Sequence, residues 1–191
     1  MYYRGVERGD TLAEEFVNAL KTPMQERTFA TTLEAVDSAV EWYEEVCRAI
    51  TPYDEEEMSR ASLVFLELFM NAYEHGNLGI DREKKKRYLE QGIYYEKLPI
   101  IEQNSDAKIS VKVYEMQKSG VASIVTQICD EGRGFNLLQF IKQSKSKTNP
   151  NGRGIFVSRK NCNDIYYNKR GNCVLFFIKE HLEKGKLYEE S

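Results

Sequence analysis

The sequence has few of the residues that build several common kinds of functional site. It contains only two histidines and four cysteines, and no two cysteines have the close spacing of a zinc site. No apolar run approaches the roughly 18 residues that a membrane span requires. The N-terminal stretch MYYRGVERGD lacks the basic and apolar blocks of a signal peptide. These absences argue against a zinc-finger protein, a membrane protein and a secreted protein.

An excess of positive charge is also missing. The chain has 27 Lys and Arg against 30 Asp and Glu, a net charge of -3, whereas a broad nucleic-acid surface needs the opposite balance. We therefore expect neither a nucleic-acid nor a membrane partner. Three of the four cysteines lie in apolar runs, where a buried thiol is the usual state, so we expect a reducing compartment and a cytoplasmic location. The cysteines are Cys47, Cys129, Cys162 and Cys173.

The residues that are present predict one globular domain. Hydrophobic residues make up 41% of the 191 positions and charged residues 30%, which suits a single core. We expect residues 1–27 to form a short packing helix or an arm. Residues 28–182 should form the domain, and residues 183–191 a polar tail.

Helical patterns fill the first half of this domain. A capping box at Thr31–Glu34 opens one amphipathic helix, and Asp54 with three following glutamates opens a second. The stretch DREKKKRYLEQ at 81–91 predicts a solvated helix or, alternatively, a basic patch for an acidic partner. We expect residues 93–105, which contain Pro99, to be irregular.

Two β-hairpins are predicted in the second half. The strands of the first are residues 108–114 and 121–130, and those of the second are residues 164–168 and 172–179. Helices followed mainly by strands predict an α+β fold. We expect a two-layer α/β sandwich with helices on one face of a mixed, largely antiparallel sheet.

The second helix carries a line of polar residues. Glu67, Asn71 and His75 recur at i, i+4 and i+8, so they lie near one line while other faces pack. A glutamate here can take a proton from a hydroxyl, and the asparagine carbonyl can bind Mg²⁺ beside phosphates. A solvated helix face is the alternative explanation, since these residue types are common there.

A glycine motif follows directly on the strand that ends at residue 130. It reads Asp130-Glu131-Gly132-Arg133-Gly134-Phe135, and its glycines permit close backbone approach to a ligand. The Asp130 carboxylate can accept a hydrogen bond from the exocyclic amine of adenine. The alternative is a strand that simply ends in a glycine turn.

A second glycine motif, Gly152-Arg153-Gly154-Ile155, opens a predicted helix. Free N–H groups at a helix N-terminus form an anion site suited to phosphates. The preceding polar loop, residues 142–152, is either a linker or a mobile lid. The motif matches neither a Walker A sequence nor a dinucleotide fingerprint, because the Lys-Ser/Thr pair and the third glycine are missing.

In this order, the three motifs resemble those of the GHKL superfamily, the ATPase domains of gyrase, mismatch-repair proteins and histidine kinases. Glu67-x-x-x-Asn71 looks like its N box, Asp130-x-Gly132-x-Gly134 like its first glycine box and Gly152-x-Gly154 like its second. The resemblance covers about residues 28–179. NAYEHGNLGI and NGRGI look most like the bacterial anti-sigma-factor serine kinases.

This resemblance implies a Bergerat-type fold that binds ATP with Mg²⁺. Asp130 would bind adenine, Asn71 would hold Mg²⁺ and Glu67 would be the general base. The other implied nucleotide-binding residues are His75, Gly132, Gly134, Phe135, Gly152, Arg153, Gly154 and Ile155, with Lys145 and Lys147 placed to meet phosphate charge. The sequence departs from many relatives in its last strand, which offers Cys173, Val174 and Leu175 where they have an adenine-binding threonine.

Two functions from different classes fit this resemblance. The first is a kinase that phosphorylates Ser or Thr of a bacterial regulatory partner, either an anti-anti-sigma-like antagonist or a sigma factor. The second is a nucleotide-gated binding module with little or no catalysis. A histidine autokinase is disfavoured, because the two histidines are His75, inside the N box, and His181, near the tail. A homodimer is compatible with either function.

Overall fold

A computed structural model of the protein describes residues 2–4, 11–12, 20, 22–118, 121–135, 161–162 and 164–179. In this part of the chain, four α-helices pack on one face of a seven-stranded sheet. This confirms the predicted α+β two-layer sandwich. None of the described helices is long and apolar enough to span a bilayer.

The helices precede most of the sheet along the chain. They are α1 (Leu33–Ile50), α2 (Glu55–Asn71), α3 (Arg82–Glu90) and α4 (Tyr94–Glu102), with a π-helical segment (Ala72–Asn77) directly after α2. The strands are β1 (Tyr2–Arg4), β2 (Thr11–Leu12), β3 (Gln25–Ala30), β4 (Lys108–Lys118), β5 (Val121–Asp130), β6 (Asp164–Asn168) and β7 (Cys173–Lys179). Their order is β2-β1-β6-β7-β5-β4-β3, and every described pair is antiparallel.

Residues 1–27 contribute strands where they are described. β1 pairs with β6, and β2 pairs with β1 at one edge of the sheet. The sequence suggested an arm or a short helix here, because strands of two or three residues are too short to show an alternating pattern. The predicted tail at 183–191 lies outside the described residues.

The helix caps decide where α1 and α2 begin. Asp54 and Glu57 form the reciprocal capping box of α2, with Glu57 N–H donating to Asp54 Oδ1 at 2.7 Å. The predicted capping box of α1 is wrong by one residue. Thr32 is the N-cap, while the Thr31 hydroxyl instead donates to the Ala107 carbonyl at 2.6 Å. A tertiary hydrogen bond therefore replaces the local one.

Aromatic packing joins the helices to the sheet. The fully buried ring of Tyr43 in α1 stacks on Phe65 of α2, with centroids 4.2 Å apart. The Thr126 hydroxyl of β5 donates to the Tyr43 hydroxyl at 3.2 Å. Because side chains alternate along β5, Ile124 and Ile128 face these helices, whereas Val125 belongs to a second apolar cluster on the opposite face.

The prediction of irregular structure for residues 93–105 is wrong, since α4 occupies most of this range. Tyr94 and Leu98 are buried one helical turn apart, and this packing stabilises the helix. Pro99 lies inside α4 and removes the N–H that would bond to the carbonyl of Tyr95. Tyr95 is exposed, so water can satisfy that carbonyl.

The charged stretch at 81–91 forms the predicted helix, but one of its lysines binds inside the fold. Lys85 Nζ donates to both carboxylate oxygens of Glu74, at 2.7 and 2.6 Å, and the Tyr94 hydroxyl donates to the same carboxylate. Glu74 is only 3% exposed, so its charge needs this partner. The ion pair of Lys85 and the hydrogen bond of Tyr94 thus hold α3 and α4 against the π-helical segment.

The prediction of free thiols is wrong for two cysteines. Cys129 of β5 and Cys173 of β7 form a disulfide, with their Cα atoms 4.1 Å apart. They face each other in the β5–β7 register although 44 residues separate them in sequence, so their spacing gave no sign of the pairing. The cysteine argument for a reducing compartment therefore no longer holds. Cys47 and Cys162 are not part of a disulfide.

We expect thiol titration of the denatured, unreduced protein to find two thiols rather than four. Cys173→Ser should lower the free energy of unfolding by about 2–4 kcal/mol, because the unfolded chain gains entropy without the crosslink. A reductant should have the same effect on the wild type. Cys162→Ser is the control, since it removes a thiol and leaves the crosslink intact. Four reactive thiols in the unreduced wild type would contradict the pairing.

Candidate functional site

Two of the sequence motifs meet at the end of β5. Asp130 is the last residue of this strand, and its half-buried carboxylate lies against the backbone of Gly76 in the π-helical segment. A Cβ atom at position 76 would fall far inside van der Waals contact with Asp130 Cγ. The contact therefore requires glycine at position 76. It joins the helix that bears Glu67 and Asn71 to the first glycine motif.

The glycines of this motif have a structural role that the sequence did not predict. A Cβ at Gly132 would collide with the Gly76 carbonyl oxygen, and one at Gly134 with the Arg170 carbonyl oxygen. Gly134 also has a φ of +75°, which favours glycine. Both glycines therefore permit close approach to the protein's own backbone.

Asn77 connects three segments around this contact. Its side-chain amide donates to Thr31 Oγ1 at 2.7 Å and to the Lys108 carbonyl at 3.0 Å. Its Oδ1 accepts from the backbone N–H of Glu131 at 2.8 Å. One side chain thus fixes the end of the π-helical segment to β4 and to the glycine motif. From the sequence, His75, Gly76 and Asn77 were expected to end the helix, and this role of Asn77 in connecting segments was not predicted.

The polar line on α2 lies one to two helical turns before this contact. Glu67 and Asn71 are half-buried, and His75 is exposed in the π-helical segment. His75 Nδ1 lies 2.5 Å from the Ile80 carbonyl oxygen, so this nitrogen is the protonated one. The structure places all three residues on the helical element that reaches Asp130.

Asn71 and Glu67 have polar groups available for a ligand. Asn71 Nδ2 is buried, and no described residue satisfies it. A buried unsatisfied amide is costly and calls for a partner. Among the residues that the structure describes, none makes a hydrogen bond or ion pair with the Glu67 carboxylate. These two side chains can therefore act on a molecule bound beside α2.

Burial changes the acidity of Asp130. It raises the pKa of the carboxyl to about 6, against the lowering effects of the Gly132 N–H, which donates to Oδ1 at 2.8 Å, and of the Arg170 charge. The group is ionised at neutral pH and takes up a proton near pH 6. It can therefore accept a hydrogen bond from a ligand amine, and that ability weakens in mild acid.

The register of β7 places a further residue, Asn172, beside Asp130. Asn172 directly precedes β7 and lies beside Asp130, whose N–H donates to the Asn172 carbonyl at 2.9 Å. The side-chain amide of Asn172 donates back to the Asp130 carbonyl at 2.6 Å. Cys173 and Leu175 belong to the opposite face of the sheet, and Val174 to the helix-facing core. Asn172 thus contacts Asp130 directly, and sequence reasoning missed it.

The other predicted site residues fall into two groups. Phe135 is half-buried and packs edge-on against Tyr167, with centroids 5.3 Å apart, at the end of the glycine motif. Six residues lie outside the described part of the chain: Lys145, Lys147, Gly152, Arg153, Gly154 and Ile155. The second glycine motif and the loop before it therefore stay predictions.

Comparison with known protein families gives a match that covers most of the chain. The family model described as a histidine kinase-like ATPase domain matches residues 29–178. No protein of curated function matches the chain. The matched range spans most of the chain and includes α2, the Gly76–Asp130 contact and both glycine motifs. The chain therefore belongs to the histidine kinase-like ATPase domain family.

Proposed function

We propose that this protein binds ATP beside α2 and transfers its γ-phosphoryl group to a Ser or Thr of a regulatory partner protein. One observation carries the proposal. The Asp130 carboxylate is packed against Gly76, at the end of the helical element that bears Glu67 and Asn71. In the proposed complex, Asp130 lies at the adenine end of the bound ATP, and Glu67 and Asn71 lie at its phosphate end.

Asp130 is the proposed adenine acceptor. Its half-buried carboxylate is held in place by the Gly132 N–H and is ionised at neutral pH. It can accept a hydrogen bond from the adenine amine, whereas guanine would present a carbonyl oxygen at that position. Two facing acceptors repel each other, so we expect ATP to be favoured over GTP.

Asn71 is the proposed metal ligand. The side-chain carbonyl oxygen of Asn71 is a ligand of the kind that Mg²⁺ prefers. Its buried Nδ2, which no described residue satisfies, is a donor and would suit a phosphate oxygen. Bound there, Mg²⁺ would neutralise charge on the phosphates. Asn71 itself would orient the phosphate end of the nucleotide relative to Glu67, one helical turn away.

Glu67 is the proposed general base. Its carboxylate accepts the proton of the substrate hydroxyl as that oxygen forms a bond to the γ-phosphorus. The bond between this phosphorus and the β,γ-bridging oxygen breaks, and ADP leaves with the electron pair. The products are ADP and a phosphoserine or phosphothreonine on the partner.

The partner is proposed to be a separate protein. Autophosphorylation on histidine needs an acceptor ring outside the nucleotide site, but His75 lies on the same helical element as Glu67 and Asn71, and His181 lies outside the described residues. An anti-anti-sigma-like antagonist or a sigma factor is the proposed class of partner. This proposal rests on the resemblance of NAYEHGNLGI and NGRGI to the anti-sigma-factor serine kinases.

Titration calorimetry with Mg²⁺ present should show ATP binding, and Asp130→Asn should weaken it by about 5- to 150-fold, because a buried charged acceptor is lost. Glu131→Gln is the matched control. It removes an adjacent carboxylate that instead accepts from the Lys108 N–H at 2.9 Å. If the wild type binds neither ATP nor ADP, the proposed function is wrong.

Glu67→Gln keeps the size of the side chain but removes the base. Phosphorylation of the partner should fall by about 10²–10⁴-fold while ATP affinity changes little. Asn71→Ala should reduce both, because it removes the metal ligand. The exposed Glu56 of the same helix gives the control Glu56→Gln, which makes the same charge change outside the site. Wild-type transfer by Glu67→Gln would exclude Glu67 as the base. No transfer by the wild type to its true partner would instead favour the nucleotide-gated binding module.

A further inference from the structure

The turn between β6 and β7 is tightly fixed from within. Asn168 Oδ1 accepts from the backbone N–H groups of Gly171, Asn172 and Cys173, at 2.7, 3.0 and 3.2 Å. The Asn168 side-chain amide also donates to Asn172 Oδ1 at 2.9 Å. One side chain thus organises the whole turn, which holds Arg170 in a defined position.

This turn packs directly on the first glycine motif. A Cβ at Gly171 would collide with the Phe135 carbonyl oxygen, just as one at Gly134 would collide with the Arg170 carbonyl oxygen. Gly171 has a φ of +77°, and no side chain separates the two backbones at these points. The position of the turn therefore sets the position of the glycine motif.

The side chain of Arg170 extends this contact to Asp130. Its Nη2 donates to the Gly132 carbonyl at 2.9 Å, while the N–H of the same glycine donates to Asp130 Oδ1 at 2.8 Å. Gly132 is thus held at both of its backbone polar groups. We propose that Arg170 is a positioning residue of the nucleotide site, which holds Gly132 against Asp130 and keeps the carboxylate ready to accept the adenine amine.

Arg170 differs from the other charged residues around Asp130 in its effect on the Asp130 carboxyl group. The charged or titratable groups on the surrounding elements include Glu74 and His75 in the π-helical segment, Lys108 in β4, Glu131 and Arg133 in the glycine motif, and Lys169 and Arg170 in the turn. Glu74 is paired with Lys85 inside the fold. Of the surrounding groups, the Arg170 charge is the one that lowers the pKa of Asp130. Arg170 is exposed, so solvent screens its charge, and its effect depends on the direct bond to Gly132.

The inference rests on the proposed ATP binding, but part of its test does not. In the nucleotide-free protein, the Asp130 carboxyl carbon can be followed by NMR from pH 4 to 8 and assigned by its loss in Asp130→Asn. The wild-type midpoint should lie at about 6. Arg170→Met should raise this midpoint by about 0.2–0.7 of a pH unit, because the carboxylate loses a favourable charge.

The second part of the test measures ATP affinity in the same variants. Arg170→Met should weaken binding at pH 7 by about two- to fivefold. The ATP affinity of each protein is divided by that of Asp130→Asn at the same pH, so that the titration of ATP itself cancels. As the pH is lowered, this ratio should begin to fall at a higher pH for Arg170→Met than for the wild type. Arg170→Lys should restore the midpoint more than the affinity, since a single ammonium lacks the planar fork. Lys169→Met is the control, as it removes a neighbouring exposed charge.

An unchanged Asp130 midpoint in Arg170→Met would overturn the inference, as would an equal shift in Lys169→Met. Wild-type affinity in Arg170→Met would also overturn it. If the wild type binds no ATP, the proposed function fails. In that case a raised midpoint in Arg170→Met would still support the contact of Arg170 with Asp130 through Gly132.

Discussion

The contact between the Asp130 carboxylate and the backbone of Gly76 is the constraint on which the site depends. It brings the end of a strand against the end of a helical element, with no side chain on Gly76 to hold the two apart. Gly132 completes it, because any larger residue there would strike the Gly76 carbonyl. The Asn77 side chain then bonds the same segment to β4 and to the Glu131 backbone. Together, these contacts fix the position of Asp130, the proposed base-binding residue, relative to Glu67 and Asn71.

The sequence predicted the parts of this arrangement that are local. Glu67, Asn71 and His75 share a helix, so their spacing alone places them on one line, and Asp130 follows a recognisable strand. It did not reveal Asn77, Arg170 or Asn172, because their contacts join segments far apart in the chain. The Cys129–Cys173 crosslink was missed for the same reason, since only the β5–β7 register brings the two residues together. Long-range register is set by packing and leaves no mark in local spacing.

The buried carboxylate of Glu74 and the half-buried carboxylate of Asp130 have different environments. Glu74 binds both Lys85 and Tyr94, so its charge is matched inside the fold and serves stability. Asp130 has one backbone N–H and a more distant arginine, and burial raises its pKa to about 6. An incompletely matched carboxylate costs stability, and folds retain such groups where a ligand provides the missing partner. This difference distinguishes Glu74, whose role is structural, from Asp130, the candidate ligand-binding carboxylate.

The π-helical segment affects which charged side chains lie on the same face of α2 as Glu67 and Asn71. Glu74 stands seven residues after Glu67, and seven residues make about two turns of a regular α-helix, so an uninterrupted α-helix would align the two carboxylates. Leu78 N–H instead donates to the Tyr73 carbonyl, five residues back, and the turn is widened. Glu74 is directed into the fold toward Lys85, and His75 is left exposed after Asn71. The wider turn and these partners thus keep a second carboxylate away from the face that bears Glu67 and Asn71, where a polyphosphate would lie.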